Sequence, residues 1–85
     1  MSIVLVGQSI NAGLEAAGLA GRAHNVKMRY VTEGGRMTKQ EVTFTVKING
    51  QAEQNLSTQI PCNIDIVQGA RTFAYSWALE HLSNL

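Results

Sequence analysis

The sequence predicts an α+β domain: a two-layer sandwich with two helices on one face of a three-stranded antiparallel sheet, in the order α-β-β-β-α. Three observations predict it. Residues 40–48 alternate strictly, with Val42, Phe44, Val46 and Ile48 on one face and Glu41, Thr43, Thr45 and Lys47 on the other. Asn49-Gly50 follows at once, a strong short hairpin signal. Residues 63–82 then show helical periodicity with a wide apolar arc.

Each element has its own warrant. Residues 3–6, Ile-Val-Leu-Val, fit either a short extra N-terminal strand or the first turn of a longer helix; their β-branched content favours the strand. Ser9 to Ala20 predicts a helix, with Ile10, Leu14 and Ala17 at helical spacing, Ser9 as cap and Gly21 as stop. This segment is rich in Ala and Gly, which allows close approach to a neighbour. Val26 to Glu33 alternates as a strand and ends at the Gly34-Gly35 turn. The central strand spans 40–48. Gln54 to Ile60 predicts the third strand, closed by Pro61. The last helix is expected over Asn63–Leu82, with Asn63 as N-cap. Its apolar arc of about 200° exceeds the roughly 100° a surface helix needs. The surplus is a stripe of Ile66, Phe73 and Trp77.

Length and composition bound the class. Eighty-five residues make one domain, 1–85, with a modest core. Apolar residues are 45% of the chain and charged residues 15%, which argues against disorder. The net charge is +1, and the seven basic residues are scattered among six acidic ones, unlike a clustered phosphate-binding stripe. Cys62 has no partner cysteine, so a reducing, cytoplasmic compartment is expected. It reads as a small, half-buried hydrophobe before the last helix. The four-residue apolar run at the N-terminus is too short for a signal peptide or a membrane span.

Motifs for chemistry are not found. One Cys and two distant His give no zinc spacing, and Gly34-Gly35 lacks the Lys-Ser/Thr of a phosphate loop. His24 reads as a loop residue and His81 as a packed or solvated helix residue. The carboxylates are isolated, and no serine sits in a nucleophile elbow. No catalytic residue, metal or cofactor is expected, and the chain is not expected to be an enzyme.

Ala70, Arg71, Ala74, Ala78, Leu79 and Leu82 stand where the double-stranded RNA-binding domain has Ala, Lys, Ala, Ala, Leu and Leu. Gly35, the alternating strand and Lys-Ile-Asn-Gly at 47–50 keep register with it, and Leu14 with Tyr30-Val31 match more loosely. The chain resembles a degenerate member of that family, which implies the same α-β-β-β-α fold. The family's paired lysines fall at Val67 and Gln68, its loop His at Thr38, and the acidic contact of its first helix at Ala16. The charges that bridge a groove are therefore missing.

Two functions follow as expectations. The first is a non-enzymatic protein–protein interaction or inhibitor module, docking through Ile66, Phe73 and Trp77 on a protein partner, a ribonucleoprotein or a second copy as a homodimer. The second is weak, shape-based binding of double-stranded RNA through Gln8, Asn11 and Glu15, with Arg36, Lys39 and Arg71. A membrane partner is not expected.

Overall fold

The computed structural model describes residues 3–84. Its elements are α1 (Ile3–Ala16), β1 (Gly21–Glu33), β2 (Arg36–Ile48), β3 (Gln54–Pro61) and α2 (Ile66–Ser83). The strands form one antiparallel sheet in the order β1-β2-β3, and the helices pack against it. The fold is the α-β-β-β-α sandwich that the alternation and helical periodicity predict.

The N-terminal strand is not there; residues 3–6 are the first turn of α1. Val6, Ile10, Gly13 and Leu14 fall on one helical face, and Val6, Ile10 and Leu14 are fully buried. Burying that stripe outweighs the few tenths of a kcal/mol by which Ile and Val disfavour a helix. The helix also stops earlier than Gly21. Gly18, at φ +85°, takes the left-handed position, its N–H bonding to the Glu15 carbonyl at 2.9 Å. The Leu19 N–H bonds to the Leu14 carbonyl at 3.0 Å, completing a Schellman stop with both leucines buried.

β1 begins at Gly21, five residues before its clean alternation starts, because a bulge breaks the pattern. His24 pairs with Thr45 and Lys27 with Thr43, which leaves Asn25 and Val26 opposite Phe44. Asn25 takes φ +54°, a conformation Asn tolerates better than most side chains. His24 therefore lies in a strand, not a loop. A second irregularity, between Val31 and Thr32, leaves Thr38 unpaired and hides the start of β2 at Arg36 in the same way. Gly34 and Gly35 both have positive φ, 57° and 78°, as a two-residue primed hairpin turn requires. Asn49-Gly50 does turn the chain, with Gln51 N–H bonding to the Ile48 carbonyl at 3.0 Å. The ladder resumes only at Val46↔Gln54, so the connection is a longer loop than a two-residue hairpin.

α2 is capped by Asp65 rather than Asn63: the Asp65 carboxylate accepts from Val67 N–H at 3.0 Å. Asn63 and Ile64 belong to a turn closed by an Ile64 N–H to Pro61 carbonyl bond at 3.0 Å. Cys62 in that turn is exposed rather than half-buried. From the cap, Ile66, Ala70, Ala74 and Ala78 run every fourth residue into the core. The opposing inner face of the sheet is Val42, Phe44, Val46 and Ile48.

Small residues set the helix–helix distance. A Cβ on Gly13 would stand 2.5 Å from the Arg71 carbonyl oxygen and 3.1 Å from the Ala74 Cβ. The molecule measures 43 × 22 × 19 Å. At about 3.4 Å per residue, 13-residue β1 and β2 account for the long axis, while 18-residue α2 covers roughly 27 Å. The β1–β2 hairpin thus outruns its helical cover.

Candidate functional site

The stripe Ile66, Phe73 and Trp77 lies on the flank of α2 that meets the sheet. Ile66 is 2% exposed and belongs to the core. Phe73 is half-buried and meets Phe44 edge-on, with ring centroids 6.1 Å apart. Trp77 is half-buried and stacks on His81 at 5.1 Å. The Nε2 of His81 is buried there with no hydrogen-bond partner. On this stripe the two aromatic rings are only partly exposed and pack against the core.

The large exposed apolar side chains are elsewhere. Ile3, Val4 and Leu5, consecutive in the first turn of α1, are 43%, 62% and 50% exposed. At 100° per residue, Leu5, Ala12 and Ala16 share one flank of α1. On α2, Tyr75 and Leu79 are exposed on the flank away from Phe73. The two flanks adjoin: Ala16 and Tyr75 line one shallow depression with Gln68, Arg71 and Thr72. Tyr30 and Met37 form a second exposed apolar spot, on the helix-side face of the hairpin beyond the core. Alternation places Tyr30 with Val26 and Met28; only the reach of the helices shows that it is uncovered.

The six residues expected to touch RNA are dispersed. Gln8 and Glu15 are exposed on α1. Asn11 is engaged internally, its side-chain oxygen accepting from Ala23 N–H at 2.8 Å across the α1–β1 junction. Arg36 is exposed beside the Gly34-Gly35 turn. Lys39 lies 3.5 Å from Glu33, and the Thr38 hydroxyl donates to the same carboxylate at 2.8 Å. That hydrogen bond and the Lys39 charge hold Glu33 below the ordinary carboxylate range. Arg71 is exposed at the α1–α2 depression, far from the hairpin in sequence.

One further polar network crosses all three strands. Arg29 donates to Glu41 at 2.8 Å, and Gln59 donates to the other Glu41 oxygen at 3.3 Å. Those two bonds lower the Glu41 carboxyl, and the same carboxylate raises the Arg29 guanidinium. Among the described residues no three His, Cys, Asp or Glu side chains converge as metal ligands, and no helix is long and apolar enough to cross a membrane. His24 and Glu53, 3.6 Å apart, are both about half exposed and enclose no cleft. No protein-family model, curated protein or solved structure matches this chain.

Proposed function

We propose that this chain is a non-enzymatic protein-binding module that docks through its helix layer, with a second copy of itself as the first partner to test. The observation that carries the reading is the exposed apolar turn Ile3-Val4-Leu5. Three consecutive large aliphatic side chains at the surface are costly in water unless a partner covers them. Tyr75 and Leu79 extend the apolar character on α2, and Tyr supplies the kind of rigid anchor that dominates interface energies. Around them the helices are poor in charge, with only Glu15, Arg71 and Glu80 between the two. The fold is compatible with the resemblance to the double-stranded RNA-binding domain. The dispersed and internally engaged polar residues favour a protein partner over duplex RNA on this side.

The test is the mass in solution of the wild type and of V4E/L5E. Both sites are exposed, so the double change is expected to shift folding stability by no more than about 1 kcal/mol. The wild type is expected at twice the chain mass and the variant at the chain mass. A wild type that stays monomeric at high concentration, and that captures the same host proteins as V4E/L5E, sinks the reading.

A further inference from the structure

The face of the sheet turned away from the helices has a separate chemistry. The strands and their loops, residues 21–61, hold six of the seven basic residues and three of the six acidic ones. The helical segments hold Arg71 against Glu15, Asp65 and Glu80. The near-neutral chain is therefore polarised, cationic on the sheet and anionic on the helices.

Acidic partners are unevenly distributed over that open face. Toward the hairpin tip, Arg29 is held by Glu41 and Lys39 by Glu33, with Arg36 at the turn unpaired among the described residues; nearer the middle, Glu53 lies 3.6 Å from His24. At the other end, Arg22 stands directly opposite Lys47 in the β1–β2 register, both exposed. Like charges facing each other across strands destabilise a sheet. Lys27, on the same face opposite Thr43, is also exposed. Among the described residues none of these three has a carboxylate within ion-pair distance. Thr43 and Thr45 lie between them on β2, with Ser57 and Asn55 alongside on β3, as neutral hydrogen-bonding groups.

We infer that this open sheet face binds the phosphate backbone of duplex DNA, with Arg22, Lys47 and Lys27 as the contacts. Charge complementarity selects a polyanion: three cations gathered at one end of a polar face, without ion-pair partners among the described residues. Single strands are excluded as the preferred form because none of the chain's Phe, Tyr or Trp side chains stands on this face to stack a base. The Arg22–Lys47 pair and Lys27 are separated by four residues of β2, roughly 14 Å at 3.4 Å per residue. B-form DNA presents the phosphates bordering its major groove across about 12 Å, within reach of flexible lysine and arginine tips. A-form RNA has a narrow major groove instead, and its wide minor groove is read through 2′-hydroxyl contacts. With contacts to phosphates alone, binding is independent of base sequence.

The experiment is fluorescence anisotropy of the full chain with a labelled B-form duplex, titrated between 50 and 200 mM salt. Three neutralised phosphates give a slope of log K against log salt of about −2.7. Each of R22Q, K27Q and K47Q is expected to reduce it by about 0.9, and the triple variant to abolish binding. R36Q and R71Q, off this face or beyond its cationic end, are expected to leave the slope unchanged. A thermal melt of the triple variant guards against misfolding; losing the Arg22–Lys47 repulsion is expected to hold or raise its midpoint. Absence of binding at 50 mM salt overturns the inference. So does a slope that R36Q or R71Q reduces while the triple variant does not, or an affinity for an RNA duplex equal to that for DNA.

Discussion

Gly13 shows how one missing methyl group sets the packing of the whole helix layer. Its hydrogen points at the Arg71 carbonyl, where a Cβ would come to 2.5 Å. Alanine is favoured over glycine inside a helix by about 1 kcal/mol. A clash with backbone that cannot rotate away costs about 1–3 kcal/mol, so the clash wins. Gly7, inside α1, makes the opposite balance. A Cβ there meets only the Val26 Cγ2, at 3.5 Å, an ordinary van der Waals contact. Gly13→Ala is expected to lower the urea midpoint clearly, and Gly7→Ala to hold or raise it by up to about 1 kcal/mol. Equal midpoints for the two variants would show that the helices adjust their spacing freely.

At the scale of elements, the caps and bulges decide the boundaries. Asp65 accepts the Val67 N–H, whereas Asn63 lies outside the helix. Asp65→Ala is therefore expected to cost about 1 kcal/mol, and Asn63→Ala less than about 0.5 kcal/mol, in the same unfolding assay. An equal loss at both positions would move the helix start back to Asn63. The elements that the sequence makes legible are those with an unbroken period: Val42 to Ile48 in β2 and the Ala70-Ala74-Ala78 row in α2. Where a bulge inserts Asn25 or Thr38, the period changes phase and the strand ends disappear from view. Residues 3–6 are ambiguous for another reason. Local propensity favours a strand, while the continuation of the stripe through Ile10 and Leu14 settles a helix. The apolar arc of α2 is equally two-sided. Periodicity gives its width, but only the packing tells which flank meets the sheet. Ile66 and Phe73 meet it; Tyr75 and Leu79 remain at the surface.

For the whole molecule, the two layers carry different interactions, and this separation is expected to show in the pH dependence of stability. The described ion pairs all join the strands or their connecting loops: Arg29–Glu41, Lys39–Glu33 and His24–Glu53. Glu41 is lowered by its hydrogen bonds from Arg29 and Gln59, and Glu33 by its bond from Thr38 and the charge of Lys39. A carboxylate whose folded pKa is depressed binds fewer protons folded than unfolded. Its stabilisation is complete above the unfolded carboxylate pKa and is lost as pH falls through the lower, folded value. Acid should therefore loosen the sheet layer through these two groups, and added salt should weaken the effect because both networks face solvent. Thermal melts between neutral and acid pH are expected to show the wild-type midpoint falling through and below the ordinary carboxylate range. E33Q/E41Q, which can keep some hydrogen bonds but cannot titrate, is expected to start lower at neutral pH and to fall less steeply. The two curves converge in acid, where the wild-type carboxylates are protonated. Parallel curves would place the acid sensitivity in groups other than Glu33 and Glu41.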